Sequence, residues 1–388
     1  MSGYQIQIAS GVDQFVHWVH AWNDLWARSC PAQPTSRAEG VLDWVEAFAE
    51  DEPFSAVCVE ADGRLVAGLP LVRSSLGGVL QVYRRPISPW SDSGTLLLDR
   101  SVDAVAALDT LVDGLDAAGV HLMSFEETPF EQPQWAAFAE AVSRRGGYSL
   151  VTAKNTVGVV DILNDWDRYQ KSWSGNHRGA IKRSLKKLEK KHTVRLERHR
   201  SAEGIDLDGL LDVAFQIEDR TWKGDEGTSV LKCPGMAGFI KREARRVADA
   251  GSLDLWFLYA DDTPIAFEYC HLSGGTCYSH KIGYDPDYAA YGPGRLLRRL
   301  QLERLHDDPE CGVLDMLGVI CPTKAKWATR TYPIGRLHAS IRGVMPQALL
   351  RGYGWVKPAL QKLRQSETVV PQLGAAGLLP PGGVPVGA

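Results

Sequence analysis

The sequence predicts an α+β protein in which one order of helices and strands occurs twice. The chain has 388 residues, which is too long for one ordinary core. Hydrophobic residues make up 44% and charged residues 23%, as in globular proteins. Helices, a three-strand meander, a helix opened by a glycine loop and a further strand follow one another clearly in the second half, and more weakly in the first.

The first half alternates helical and extended patterns. Trp18, Trp22 and Trp26 recur at i, i+4 and i+8 and predict a helix over 12–28. Apolar stretches separated by the turn pairs Asp62-Gly63 and Gly77-Gly78 predict a meander of strands. The other expected elements are helices at 38–50, 102–118 and 132–145 and strands at 120–126 and 148–154.

The second half repeats this order. Its expected elements are strands at 156–162 and 193–199, helices at 166–173, 176–191, 207–222 and 235–250, a meander from "LDLWFLYA" to "TCYSHKIGYD", a helix after 292, the strand "GVLDMLGV", a short helix near 323–330, the strand "RLHASIRG" and a helix over 345–364. We expect two superposable domains, 1–155 and 156–365, meeting near 155–160, and a loosely attached Pro/Gly-rich tail at 366–388. A single continuous sheet would speak against this division.

Composition narrows the class of protein. No run approaches ~18 apolar residues, so we expect no membrane span. The N-terminus has neither a basic start nor an apolar core, so we expect no signal peptide. Seven scattered cysteines without a CxxC pair indicate free thiols in the cytoplasm. His17 and His20 have helical spacing, but only Asp24 lies nearby, so we expect no metal site.

Charge is concentrated in one segment. Residues 171–200 hold 11 Lys/Arg against Glu189 and Glu197, a net charge of +9, while the whole chain carries −4. Such asymmetry indicates an anionic partner at this segment. The row Arg178, Lys182, Lys186 and Lys190 is long enough to track several phosphates, as in nucleic-acid binding. A solvated helix face and a neighbour of a CoA phosphate are the alternatives.

A glycine loop opens one predicted helix. Gly292, Pro293 and Gly294 leave the first backbone N–H groups accessible, and the helix dipole favours anions there. Arg295 and Arg298 lie just inside and can add charge-assisted contacts. The loop is therefore either a phosphate cradle or an ordinary turn and cap.

Four segments resemble the GNAT acyltransferase superfamily, in its branch of Fem-type peptidyltransferases and cellulose-biosynthesis acetyltransferase-like proteins. They are "TWKG" at 221–224, "IGYDPDYAAYGPGRLL" at 282–297, "LDMLG" at 314–318 and "TKAKW" at 323–327. The resemblance implies two tandem GNAT-like domains, acyl transfer and donor binding at Gly292 and Gly294. Family members usually have Gln or Arg three residues before the first glycine, whereas this chain has Ala289. The donor is therefore open between acyl-CoA and aminoacyl-tRNA.

Candidate catalytic residues come from the resemblance and from the chemistry of individual side chains. Lys324 matches the lysine of a Fem-type motif that stabilises charge on the reacting carbonyl. Glu268, His280 and Asp315 are competing bases for the attacking amine, and Tyr284 is a candidate proton donor to the leaving group. Structural pairing is the alternative for each. The candidate acceptor-binding residues are Asp92, Trp222, Lys223 and Trp327.

These observations predict an amide-forming acyltransferase. The acyl or aminoacyl group passes from an activated donor, with aminoacyl-tRNA favoured, to an acceptor amine. The basic segment favours tRNA because a small CoA needs few phosphate contacts. No tightly bound cofactor is needed. An acyl-CoA-dependent enzyme and a non-catalytic nucleic-acid-binding module on the same fold are the alternatives.

Overall fold

A computed structural model describes residues 3–29, 33–76, 80–343, 347–348 and 350–352. The expected tail at 366–388 and most of the expected helix at 345–364 lie outside these residues. Of the helices that the structure describes, none combines the length and the apolar character needed to cross a membrane.

The first half begins with a strand that the sequence analysis does not predict. The expected helix at 12–28 is divided by a turn. The elements are β1 (Gln5–Ser10), α1 (Val12–Val16), α2 (Val19–Arg28), α3 (Ala38–Phe48), β2 (Phe54–Ala61), β3 (Arg64–Leu76), β4 (Leu80–Arg84), β5 (Leu97–Leu98), α4 (Ala104–Ala117), β6 (Leu122–Thr128) and α5 (Pro133–Arg144).

The second half follows the expected order. Its elements are β7 (Tyr148–Asp161), α6 (Trp166–Ser172), α7 (Gly175–Glu189), β8 (Val194–His199), α8 (Leu207–Asp219), α9 (Trp222–Asp225), α10 (Met236–Asp249), β9 (Leu253–Ala260), β10 (Thr263–Ser273), β11 (Thr276–Tyr284), α11 (Pro293–His306), β12 (Val313–Asp315), α12 (Pro322–Ala325) and β13 (Arg330–Ser340). The strand expected from 312 ends early, because the backbone turns at Leu317 (φ 40°) and Gly318 (φ 57°).

The two halves share one topology, which confirms the predicted α+β class with tandem units. In the first half an antiparallel meander β1-β2-β3-β4 is followed by β6, which pairs parallel to β4. In the second half the meander β8-β9-β10-β11 is followed by β12, which pairs parallel to β11. Each parallel strand is reached through a crossover helix, α4 or α11.

The expectation of two separate sheets is wrong. The strands form one sheet in the order β1-β2-β3-β4-β6-β13-β7-β12-β11-β10-β9-β8. β13, from the end of the second half, lies between β6 and β7 and pairs antiparallel with both. β7 in turn pairs with β12. The halves are therefore joined by two shared strands, and the residue that divides the domains stays a prediction.

A β-bulge explains why the sequence indicates a break inside β7. Ile334 pairs with Asn155 and Gly335 pairs with Ala153, so Lys154 is the extra residue of the bulge. A Cβ at Gly335 would lie 2.2 Å from the carbonyl oxygen of Thr152, so only glycine fits opposite the bulge. The polar stretch around Lys154 therefore bends one long strand rather than ending it.

The second half of the sheet has two different faces. Trp256, Leu258 and Cys270 belong to a core with α7 and α11, on what we name the α11 face. Leu255 and Phe257 belong to a core with α8 and α10, on what we name the α10 face. Helices thus cover both faces of this half of the sheet.

Candidate functional site

The parallel strands β11 and β12 separate after a short paired stretch. Thr276 to Tyr278 pair with Val313 to Asp315, and β12 then ends. Among the described strands, none pairs with this edge of β11 from Ser279 to Tyr284. We name the opening between this edge and the turn after β12 the β11–β12 gap.

The glycine loop, Gly292 to Gly294, lies on the α11 face. Gly292 has φ 64°, a left-handed conformation that favours glycine, and no side chain caps the helix. A Cβ at Gly294 would meet only the Tyr284 ring, at 3.5 Å. The matching helix of the first half differs, since the Asp103 carboxylate accepts hydrogen bonds from its first N–H groups. Only the second of these two crossover helices therefore leaves its first turn open to an anion.

The basic helix α7 lies against this loop. Lys187 Nζ donates to Ala290 O at 3.2 Å, and Arg295 Nη2 donates to Ser184 Oγ at 3.0 Å. Arg295 thus contacts α7 beside the loop. The exposed cations of the helix and its C-terminal turn are Arg178, Lys182, Arg183, Lys186, Lys187, Lys190 and Lys191. Helix and loop form one positively charged surface.

Two other arginines of the predicted donor site have internal partners. Arg178 Nη1 donates to the carbonyls of Lys171 and Trp173, so it closes the turn before α7. Arg298 Nη2 lies 2.8 Å from Glu268 Oε1 and 3.3 Å from Ser279 Oγ. Because Arg298 is buried and points into the sheet, it does not reach the glycine loop.

Glu268 is fully buried in its ion pair with Arg298. The pair joins β10 to α11 on the α11 face. Glu268 Oε2 and Arg298 Nη1 have no hydrogen-bond partner in the part of the chain that the structure describes. A buried charge needs its partner, so this geometry favours a structural role for both residues.

Asp315 ends β12 at the edge of the gap. Its Oδ2 accepts a hydrogen bond from the Tyr332 hydroxyl at 2.9 Å, and its Oδ1 accepts one from Leu317 N at 2.9 Å. Leu314 packs in the core of the α11 face, so strand alternation puts Asp315 on the α10 face. Burial raises the pKa of Asp315, so its carboxylate accepts a proton more readily than an exposed one.

Lys324 binds the turn that follows Asp315. Its Nζ donates to the carbonyl oxygens of Met316, at 3.1 Å, and of Leu317, both in the turn after β12. Burial lowers the pKa of Lys324, and the positive charge of Arg298 lowers it further. The predicted partner Trp327 is instead buried against Trp173 and His177, with ring centroids 5.1 and 4.6 Å away. Trp327 therefore belongs to the core rather than to an acceptor surface.

His280 and Tyr284 occupy different parts of β11. A register shift makes His280 the extra residue of a β-bulge, and its ring lies 3.9 Å from that of His271. Burial lowers the pKa of His280 to about 3, so the ring is neutral. Tyr284 is 43% exposed beside the glycine loop. It lies about 20 Å along the strand from Tyr278, the residue opposite Asp315.

The candidate acceptor residues lie around the α10 face. Asp92 accepts a hydrogen bond from the buried Arg85 at 3.0 Å. Lys223 Nζ lies 2.6 Å from Glu218 Oε1, and Trp222 is 44% exposed. The same face carries polar residues that the sequence analysis does not select, which are Trp90, Ser91, Glu243, His271 and Lys281. Glu243 had a sequence signal, since it occupies the apolar stripe of α10 one turn after Phe239.

Comparison with known families gives one match over part of the chain. Residues 175–324 match the model of the family described as acetyltransferase (GNAT) domain. That match includes α7, the glycine loop, Asp315 and Lys324 and ends before β13. No curated protein sequence matches the chain.

Several solved structures are similar in fold. FemX has a TM-score of 0.61 at 8% identity, with 89% of this chain and 99% of FemX covered. A conserved protein of unknown function from Bacteroides thetaiotaomicron has a TM-score of 0.54 at 10% identity, covering 88% of this chain and 100% of its own. The C-terminal DUF2156 domain of an Agrobacterium fabrum protein described as a lysylphosphatidylglycerol synthetase has a TM-score of 0.50 at 12% identity, covering 88% and 97%. These likenesses show the fold. The family match therefore identifies residues 175–324 as similar to the GNAT acetyltransferase domain, and the chain as a whole has a fold similar to that of FemX.

Proposed function

We propose that this acyltransferase forms an amide by moving an aminoacyl group from aminoacyl-tRNA to an acceptor amine. The observation that carries the proposal is the contact between α7 and the glycine loop through Lys187 and Arg295. This contact makes the exposed cations of α7 continuous with the expected donor entrance. Both donor classes are made in the cytoplasm, where we expect the enzyme to act.

The size of this surface favours a polyanion over a small donor. α7 has 15 residues and is therefore about 22 Å long. Within the described ranges, its exposed lysines form no ion pair with a carboxylate, whereas Arg195, Arg198 and Arg200 of the neighbouring segment all do. A CoA molecule needs only a few phosphate contacts. A row of free cations of this length suits a nucleic-acid backbone.

The proposed chemistry takes place at the β11–β12 gap. The amine attacks the ester carbonyl, Lys324 stabilises the developing negative oxygen, and the carbon–oxygen bond to the ribose breaks. We propose Asp315 as the base, because burial raises its pKa and Glu268 is held by Arg298. The proton passes from the amine to Asp315 and then to the leaving ribose oxygen. Tyr284 is too far along β11 to serve the same carbonyl.

Supplying each donor separately tests the proposal. Purified protein is treated with nuclease and repurified, then given aminoacyl-tRNA or acyl-CoA with a panel of amines, and products are detected by mass spectrometry. Amide formed only with aminoacyl-tRNA supports the proposal. Turnover with acyl-CoA alone would overturn the proposal that aminoacyl-tRNA is the donor. It would favour binding of the CoA phosphates at the glycine loop. Binding of tRNA without turnover by either donor would favour the non-catalytic alternative.

A further inference from the structure

Lys281 places a cation on the α10 face that forms no ion pair with any described residue. It belongs to β11 three residues beyond Tyr278, the last residue paired with β12, so it lies beside the gap. It pairs with Tyr269 of β10, which packs in the core of the α10 face. The Lys281 Nζ lies 4.3 Å from the ring centroid of Trp90, a residue of the first half.

The carboxylates near Lys281 are already engaged. Glu218 Oε1 binds Lys223 at 2.6 Å, and its Oε2 accepts a hydrogen bond from Val230 N at 3.0 Å. Glu243 Oε2 accepts the Ser91 hydroxyl at 2.8 Å. In the described ranges no carboxylate forms an ion pair with Lys281, although the charges of Glu218 and Glu243 act on it from farther away.

The remaining neighbours add no negative charge. His280 and His271 are neutral because burial lowers the pKa of each ring. Burial also lowers the pKa of Lys281 to about 8, which indicates that its charged form lacks full compensation. Lys223 adds a second positive charge to this part of the face. An anionic ligand group would compensate Lys281, while Lys223 keeps its ion pair with Glu218.

We propose that Lys281, which lies near Lys223 and the ring of Trp90, binds an anionic group of the acceptor. The acceptor is then an amine that also carries a carboxylate or a phosphate. The proposal rests on the acyltransferase function for the identity of the ligand as an acceptor. It gives the α10 face its own specificity, separate from the donor surface on the α11 face.

Protection of Lys281 from carbamoylation tests the proposal without any donor. The full chain reacts with cyanate at a pH near the pKa of Lys281, about 8. Peptide mass spectrometry then gives the ratio of modified Lys281 to modified Lys154. Lys154 is exposed on β7 and corrects for cyanate consumed by the probes. The probes are 6-aminohexanoate, which carries a carboxylate, O-phosphoethanolamine, which carries a phosphate, and hexylamine, which carries no anion.

We expect one anionic probe to lower the ratio several-fold and hexylamine to leave it unchanged. The probe that protects identifies carboxylate or phosphate as the group. No protection by either anion, or equal protection by hexylamine, would overturn the proposal.

Calorimetry with the protecting probe gives a second measurement. Lys281→Met should weaken binding about ten-fold or more, since a charge-assisted hydrogen bond is worth about 1.5–3 kcal/mol. Lys281→Arg should retain binding, and Lys154→Met should match the wild type. Protection and binding without turnover by any donor would defeat the proposed function and leave the anion site standing. Turnover with equal preference for anionic and neutral amines would support the proposed function and overturn the anion site.

Discussion

The Ser91 hydroxyl, in the first half, donates a hydrogen bond of 2.8 Å to the Glu243 carboxylate, in the second half. Both side chains are buried, and Ser91 Oγ also lies 3.2 Å from Ser93 Oγ. The bond joins the loop between β4 and β5 to α10, which packs on the sheet beside the gap. Burial raises the pKa of Glu243 to about 7, so folding is linked to protonation at this junction.

Glu243→Gln should therefore flatten the pH dependence of stability. The pKa of Glu243 in the folded state lies above its ordinary value of 4.5, so the folded chain binds the proton more tightly. This group makes the free energy of unfolding fall as pH rises from about 4.5 to about 7, by about 3 kcal/mol at most. Urea unfolding of the variant and the wild type at about pH 5 and about pH 8 gives the change in the free energy of unfolding between the two pH values for each protein.

The buried His271 and His280 contribute an opposite slope, and His271 Nε2 lies 3.7 Å from Glu243 Oε1, so the comparison of the two proteins reports Glu243 together with its effect on His271. Glu46→Gln, at an exposed position, is the matched control and should behave like the wild type. An identical pH slope in Glu243→Gln and the wild type would show that Glu243 titrates normally.

Breaking the pair of Glu268 and Arg298 should destabilise the fold. Either Glu268→Gln or Arg298→Met leaves a buried group without its charged partner, which typically costs about 3–5 kcal/mol. The double variant should lose much less than the sum of the two. Urea denaturation of all four proteins gives the coupling energy.

The same variants separate structure from catalysis. If Glu268 only supports the fold, the double variant should recover turnover along with stability. Additive losses of stability would contradict the ion pair, and a stable double variant without turnover would return Glu268 to the list of bases.

Local patterns predict much of this fold correctly. The glycines at 292 and 294 follow a strand and precede an apolar seam, so the sequence predicts both α11 and its open first turn. The turns Asp261-Asp262 and Gly274-Gly275 similarly predict the meander of β9, β10 and β11. Such signals depend on residues that are adjacent in the chain, and tertiary contacts do not change them.

The long-range pairings carry no such signal. β13 pairs with β7, and Tyr332 meets Val157, some 175 positions earlier in the chain. The contacts of Trp90 with Lys281 and of Ser91 with Glu243 are equally distant, so the acceptor face is not visible in any short stretch. The expectation that Arg298 binds the donor fails for a related reason. α11 is buried on more than one side, so its arginine row is only partly exposed.

Gly294→Ala should impair donor binding without harming the fold. A Cβ there has ordinary contact with Tyr284, at 3.5 Å, and Ala is the better helix former by about 0.5–1 kcal/mol. The new methyl group would stand where the donor approaches the backbone. We expect an unchanged or higher melting temperature and a KM for the donor raised about ten-fold or more. Unchanged KM would remove the glycine loop from the donor site.

Lys324→Ala should lower kcat more than it raises KM. Its proposed contact forms with the oxyanion, which exists only in the transition state, so ground-state binding should change little. Loss of one such group typically costs about 10²–10³ in kcat. Steady-state kinetics with the active donor give the comparison, and Lys326→Ala, at the exposed neighbouring position, is the control. Equal effects of the two substitutions would place the carbonyl elsewhere.

Reversing the charge of Lys182, Lys186 and Lys190 together should weaken tRNA binding and make the affinity less sensitive to salt concentration. These exposed lysines of the basic helix point away from the core formed by Ile181 and Leu188, so the substitutions should leave the fold intact. Each phosphate contact contributes about 0.7–0.9 to the slope of log K against log salt concentration. The triple variant should therefore reduce that slope by about 2–3 in a filter-binding titration.

Reversing Arg64, Lys154 and Arg242 changes the net charge by the same amount at exposed positions away from α7. This control should keep the wild-type slope, because a more acidic protein attracts tRNA less strongly overall but keeps its specific phosphate contacts. If both triple variants bind tRNA alike, the positive surface of α7 is only a solvated helix face. If the α7 variant instead loses activity with acyl-CoA alone, its lysines serve the phosphates of that smaller donor.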